Sequence, residues 1–406
     1  MKNRIFLICL IPLVLFSCKK DNSPTPIPDI NLTPRQSQIV ANCNRFGFDL
    51  FQKINHSDKN KNIFISPLSV SIALGMTLNG ASGSTRAAME QTLRMNGMTT
   101  QEINETYKNM IDYLRLVDPM VQFNIANSIW YRQDFTVLPD FLKVNQDFFY
   151  ASVNPLDFND PASVNTINTW VSDNTHEKIT QIIDNIDPAT VMFLINAIYF
   201  KGSWQYKFDI KNTTSKVFHP SNGFDFETPM MSQKGKFNYF ANDLLQAIEL
   251  PYNNGRYNMY VFLPATNKNV EDIIAQLNEA NWENWLSAMA PLDDIQIQLP
   301  KFKFSYDKKL KEILTDMGMG IAFSDMANFT GINSSVGLSI TEVKHKTFVE
   351  VNEEGTEAAA VTSVEIGVTS VPEITYFIAD KPFIFAIVEK QTKSIVFIGK
   401  INEPVN

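Results

Sequence analysis

From Gln36 to the end of the 406-residue chain there is no proline-rich linker and no internal repeat, so the whole stretch has to close around one core. Composition permits this: 44% of residues are apolar and 19% charged, the balance of a globular protein and not of a disordered or fibrous one. Cross-links give no help. Only Cys9, Cys18 and Cys43 occur, which excludes a disulfide scaffold and a cysteine-rich zinc site. Packing alone must hold the fold together.

The spacing of apolar residues predicts helices over Gln36–Lys53, Pro67–Asn79, Thr85–Leu93, Thr99–Leu116 and Pro139–Phe149, with Ser66 as the cap of the second. Alternation takes over later. Period-two segments rich in Ile, Val, Phe and Tyr run over Phe123–Tyr131, Val191–Phe200, Gln246–Leu250, Tyr257–Leu263, Ile295–Leu299 and Ile384–Ile401. Helices gathered early and strands gathered late predict an α+β fold with large antiparallel or mixed sheets.

The first residues are an address. Lys2 and Arg4 precede an apolar run from Ile5 to Phe16, too short to span a hydrocarbon core of about 30 Å at about 1.5 Å per helical residue. That layout is a secretory signal peptide, residues 1–17. Leu15-Phe16-Ser17-Cys18 is similar to a bacterial lipobox, in which a lipid is attached to the cysteine sulfur, although Phe16 is bulkier than usual there. The plainer alternative is an ordinary signal peptide that happens to contain a cysteine. Residues 18–35 carry Pro24, Pro26, Pro28 and Pro34 and are predicted to form an extended tether, leaving 36–406 as the folded domain.

No enzyme motif emerges. The net charge of −8 argues against a nucleic-acid partner, whose phosphates demand a basic face. His56, His176, His219 and His345 are far apart and no HExxH joins any two, so neither a metal nor a cofactor is expected. Gly80-Ala81-Ser82-Gly83 has the wrong spacing for a nucleophile elbow, and Gly318-Met319-Gly320 lacks the third glycine of a dinucleotide fingerprint. No catalytic residue is assigned. A hydrolase built on scattered residues stays open as an alternative.

One segment stands apart. Over 353–371, small or apolar residues (Thr356, Ala358, Ala360, Thr362, Val364, Ile366) alternate with a face bearing Glu357 and Glu365. Composition alone allows a half-buried strand or an alanine-rich linker. The residues Glu353-Glu354-Gly355-Thr356-Glu357-Ala358-Ala359-Ala360, however, resemble the hinge of an inhibitory serpin's reactive-centre loop. Phe377-Ile378-Ala379-Asp380-Lys381-Pro382-Phe383-Ile384-Phe385 resembles the serpin signature near the C-terminus. Asn62–Ser69, Asn196–Trp204 and Val343–Lys346 resemble further serpin segments in the expected order, so the likeness covers about Gln36 to Pro404.

The resemblance implies a serpin fold, with helices around three β-sheets and an exposed loop in a single domain. It implies a monomeric, non-enzymatic inhibitor that is cleaved once and traps an endopeptidase covalently as the loop inserts into the main sheet. Ser66, Ser69, Asn196 and His345 would form the shutter that governs sheet opening, and Trp204 would mark the breach where the loop enters. Counting from Gly355 places the reactive bond at Thr369–Ser370, with Val368 as the second choice. Small β-branched residues there, and no Lys or Arg from Thr347 to Asp380, fit an elastase-like serine protease, with a papain-like cysteine protease also accepted through Val368. A non-inhibitory carrier or chaperone is the rival reading. With Cys18 lipidated, the protein would be exported and anchored in a bacterial membrane, on the periplasmic or cell-surface face.

Overall fold

The computed structural model describes residues 29–356 and 374–405. Its helices are α1 (Pro34–Ser57), α2 (Pro67–Leu78), α3 (Gly83–Thr92), α4 (Thr100–Leu116), α5 (Pro139–Phe149), α6 (Ala162–Asn174), α7 (Val270–Ala275), α8 (Glu279–Ser287) and α9 (Lys311–Leu314). The strands are β1 (Ile63–Ile65), β2 (Gln122–Arg132), β3 (Ser152–Leu156), β4 (Met192–Ser203), β5 (Thr214–Phe218), β6 (Phe226–Ala241), β7 (Leu245–Pro251) and β8 (Tyr257–Pro264). They continue with β9 (Ala290–Pro300), β10 (Phe302–Lys309), β11 (Lys344–Asn352), β12 (Gly355–Thr356), β13 (Thr375–Ile378), β14 (Phe383–Glu389) and β15 (Ser394–Ile401).

The strands form two hydrogen-bonded sheets. One has six strands in the order β10-β11-β12-β4-β2-β3; the other runs β1-β15-β14-β8-β7-β6-β9-β13 with β5 added on β6. The second sheet bends where β6 slips register between Gly235 and Phe237, a bulge that sharpens the local twist. β9 pairs with β6 on both sides of the bulge, while β5 pairs with its first residues, Phe226–Met230, and β7 with its last, Tyr239–Ala241. Where the resemblance implies three β-sheets, hydrogen bonding joins the described strands into two.

Local sequence explains the element ends. Thr33 caps α1 and exchanges hydrogen bonds with Gln36, so the helix begins at Pro34, where a missing N–H does no harm. Ile30 and Leu32 pack against the core, and Asp29 pairs with Arg256. Residues 29–35, read from composition as tether, thus lie against the body, because two apolar side chains find a surface that the prolines do not prevent them from reaching. The Ile384–Ile401 segment divides into β14 and β15, and the turn between them places Lys393 at φ 59°. Cys43 is buried and free.

Candidate functional site

The site lies at the centre of the six-stranded sheet, where β12 sits between β11 and β4. Gly355 pairs with Asn352 on one side and Ser203 on the other; Thr356 pairs with Val351 and Gly202. Two glycines make this approach possible. Gly355 has φ +151°, and a Cβ there would collide with the Gly202 carbonyl, while one on Gly202 would stand 2.9 Å from the Tyr252 ring. The Trp204 N–H donates to the Glu354 carbonyl at 2.9 Å, and its indole Nε1 donates to the Asn352 carbonyl at 2.9 Å. Tyr252 stacks on Trp204 with centroids 4.6 Å apart, and its hydroxyl meets Thr356 Oγ1 at 2.7 Å.

Charge is also held here. Glu353 is buried, pairs with Lys301 at 2.9 Å and accepts from the Thr213 hydroxyl at 2.8 Å. Burial alone would raise its pKa, but the Lys301 ammonium and the Thr213 hydroxyl outweigh it and hold the carboxyl below the usual carboxylate range. Glu354 pairs with Lys207 at 2.8 Å.

Further down the same sheet a polar chain crosses the interior. Ser66, the cap of α2, donates through Oγ to the Val396 carbonyl at 2.7 Å and accepts from the Ser69 N–H at 3.1 Å. The Ser69 hydroxyl donates to Asn196 Oδ1; the Asn196 amide donates to Asn127 Oδ1 at 2.7 Å, and the Asn127 amide to the Phe149 carbonyl at 2.6 Å. His345 on β11 accepts the Ser66 N–H at Nε2, 3.0 Å away. Burial holds its pKa down to about 4, so the ring is a neutral acceptor near pH 7. The chain thus ties α2 to β4 and β2, and through His345 to β11.

The sequence matches the serpin (serine protease inhibitor) family over residues 41–404. The chain is a serpin. It is 34% identical to a serpin-like protein of Thermococcus kodakarensis over 94% of this chain and 89% of that one. It is 36% identical to a leukocyte elastase inhibitor of Xenopus laevis over 90% and 99%. Among solved structures it is similar to the native state of the thermophilic serpin tengpin, with a TM-score of 0.83, 31% identity and coverage of 93% and 97%. It is also similar to human thyroxine-binding globulin complexed with thyroxine, at TM-score 0.84, 26% identity and coverage of 92% and 100%. Relatives named as protease inhibitors and a thyroxine-binding neighbour thus share this serpin's fold.

Of the residues singled out from sequence, Ser66, Ser69, Asn196 and His345 are brought into one hydrogen-bonded cluster, and Trp204 touches Glu354. Glu353, Glu354, Gly355 and Thr356 lie at the head of the sheet. Glu357, Ala358, Ala359, Ala360, Val368, Thr369, Ser370 and Cys18 lie outside the described residues. Tyr252, Lys301, Thr213 and Asn127 were missed. Asn127 had left a signal: it falls in phase with Phe123, Ile125 and Ile129, on the apolar side of β2.

The opposite face of the serpin's central sheet is covered. Ile167 and Val171 of α6, with Ile179 and Ile183 after it, pack on Trp130, Ile195 and Ala197. A cleft remains beside Thr356, lined by Thr175, Ile179, Tyr199, Phe348 and Glu350. The Lys178 ammonium lies 5.1 Å from the Phe348 ring centre, at the edge of that cleft.

Proposed function

We propose that this serpin is a single-use inhibitor that traps an elastase-like serine endopeptidase through cleavage at Thr369–Ser370. The observation that carries the reading is β12: Gly355 and Thr356 are already the first two rungs of a new strand between β11 and β4. Continued in that register, Ala358 falls between Val349 and Phe200, Ala360 between Thr347 and Ile198, and Thr362 between His345 and Asn196. Even-numbered residues share the side of Thr356, whose hydroxyl reaches buried Tyr252. Small side chains at 358 and 360 suit insertion beside Phe200 and Ile198.

The covalent step belongs to the protease. Its serine oxygen attacks the Thr369 carbonyl, the Ser370 amine leaves with a proton from the protease's own base, and an ester links the two proteins. Freed at that end, the loop enters the sheet. At about 3.3 Å per residue, Thr356 to Thr369 spans about 43 Å, enough to carry the protease from one pole of the sheet to the other. Catalytic geometry fails at displacements of about 1 Å, so the pull leaves the ester unhydrolysed. The likeness to leukocyte elastase inhibitors supports the choice of target, as do the small β-branched residues at 368 and 369.

Mixing the protein with elastase and separating the products under denaturing conditions tests this. A covalent complex is expected; clean cleavage with no complex would favour the carrier reading, for which thyroxine-binding globulin is the precedent. Ala358→Arg should turn the inhibitor into a substrate, because a charge would enter the sheet beside Phe200 without a partner. An unchanged inhibitory stoichiometry in that variant would rule out insertion in this register.

The same reading extends to the N-terminus. Residues 1–17 are a signal peptide, Cys18 carries a lipid, and the exported monomer is held on a bacterial membrane at its periplasmic or cell-surface face. Cys18→Ala should release the protein from the membrane fraction. Among the described residues no helix is long and apolar enough to replace the anchor. A variant that still pellets with membranes would sink the lipid assignment.

A further inference from the structure

Three features meet at one corner of the molecule. The N-terminal residues are fastened to the β7–β8 turn: Asp29 pairs with Arg256 at 3.2 Å, and Gln391, which accepts from Arg256 at 2.9 Å, donates to the Ile30 carbonyl at 3.1 Å. The same turn grips the connection between α4 and β2, where the Asn253 amide donates to the Asp118 carboxylate at 2.7 Å. Leu116 at the end of α4, and Pro119 and Met120 on that connection, are exposed, Leu116 by 64% and Met120 by 72%, while Val117 and Asp118 between them are buried. Asp118 also accepts the Met120 N–H at 3.0 Å, which fixes the turn. An apolar tip is therefore presented on a braced loop, beside the point where the chain to Cys18 leaves the body.

We propose that Leu116, Pro119 and Met120 form the face by which the anchored protein rests on the lipid bilayer. The inference rests on the reading of Cys18 as the lipid-bearing residue. Extended at about 3.1 Å per residue, the chain from Cys18 to Asp29 reaches about 35 Å, so this corner stays within that distance of the membrane. Scattered apolar side chains on a protein surface need no explanation, but these three stand together where the tether holds them near lipid. Their burial at the headgroup boundary is too small to bind a free protein. For a tethered one the encounter is intramolecular, and the effective concentration makes a weak contact sufficient.

The placement has a consequence for trapping. The Asn253 N–H donates to the Ser203 carbonyl, so the corner lies at the Ser203 end of β4. Insertion proceeds from there toward Met192. A captured protease would be carried away from the bilayer, along a strand of twelve residues that spans about 40 Å.

Hydrogen exchange tests the contact. The chain beginning at Cys18 is coupled through that thiol to a maleimide phospholipid in phosphatidylcholine–phosphatidylglycerol vesicles; Cys43 is buried and does not compete. Compared with uncoupled protein, amides in 117–122 and 253–256 should exchange at least about threefold more slowly, with 185–191 unchanged. Leu116→Ser with Met120→Ser should abolish the slowing without altering the melting temperature. Slowing at 185–191 instead, at no segment, or undiminished in the double variant would overturn the proposal. The mass of chain extracted from bacterial membranes addresses the anchor by itself: an unmodified Cys18 would overturn the anchor reading, and the inference with it, whatever the exchange pattern.

Discussion

The hinge end of the central sheet and the cluster around His345 are held by opposite chemistries. At the hinge, Glu353 and Glu354 are paired with Lys301 and Lys207, Trp204 and Tyr252 are stacked, and Gly355 is pressed against Gly202. Around His345 the contacts are neutral hydrogen bonds among serine, asparagine and histidine side chains and backbone. A buried carboxylate such as Glu353 is costly to separate from its cation, because it would be left without a partner. Neutral hydrogen bonds are worth only about 1 kcal/mol net and are exchanged readily for others of the same kind. Under the proposed insertion mechanism the difference would give the two regions different duties: the hinge would fix where a strand begins, and the cluster below would set how readily the sheet parts to admit the rest.

The largest effect should come from completing the strand. A single nick at Thr369, without complex formation, would let 357–366 add about ten backbone hydrogen bonds and bury Val364 and Ile366. At about 1 kcal/mol each, with apolar burial besides, the gain matches the whole stability of an ordinary domain. The unfolding temperature of the nicked protein should rise by roughly 20 °C or more. Melting curves before and after limited elastase digestion measure it, with the cleavage site confirmed by mass. A nicked form melting at or below the intact one would remove the basis for assigning the two regions separate duties.

A smaller effect should separate the cluster from the hinge by pH. His345 is held neutral by burial with a pKa of about 4, against about 6.5 in the unfolded chain. As pH falls below 6.5 the unfolded chain takes up a proton that the folded one refuses. Stability is therefore full above pH 6.5 and declines toward pH 4, by about 3 kcal/mol in all. Protonation also removes the lone pair that accepts the Ser66 N–H, so this loss falls on the cluster. Glu353 is held below the usual carboxylate range by Lys301 and Thr213, so its stabilisation is lost with acid in the same direction but not through the Ser66 contact. Denaturant melts of wild type and His345→Gln between pH 7 and pH 4 decide the matter: identical slopes in the two proteins would mean that His345 is not the sensor.

The two regions also differ in how far the sequence revealed them. Ser66, Ser69, Asn196 and His345 were legible through the serpin resemblance; Asn196, in phase with Leu194 and Ile198, and His345, in phase with Val349 and Val351, also interrupt apolar faces. Ser66 was legible as a helix cap. The hinge was readable only along one strand of the chain. Its partners Tyr252, Lys301 and Thr213 come from distant segments in which a tyrosine, a lysine and a threonine break no local rule. The same limit hid β6, where Lys234, Gly235 and Lys236 interrupt the alternation at the bulge in a strand that pairs with β5, β7 and β9. Pairing across long sequence separations leaves no periodic trace.

The smallest effect sharpens the comparison most. Tyr252→Phe removes one hydroxyl and leaves the ring stacked on Trp204. The Thr356 hydroxyl then loses a partner 2.7 Å away at a position only 3% exposed, which should cost about 1–2 kcal/mol. Because Gly355 and Thr356 already lie between β11 and β4 before cleavage, the bond exists in the intact protein and would persist once the strand is complete. The substitution should therefore lower the stability of intact and nicked protein by the same amount, leaving the gain on nicking unchanged. A cluster variant such as His345→Gln carries no such constraint, since insertion would place Thr362 between His345 and Asn196 and give both new neighbours. Paired denaturant melts of intact and nicked Tyr252→Phe measure the two losses. An unequal loss would mean that the hinge re-docks during insertion, and that its first two rungs are not the fixed start of the strand.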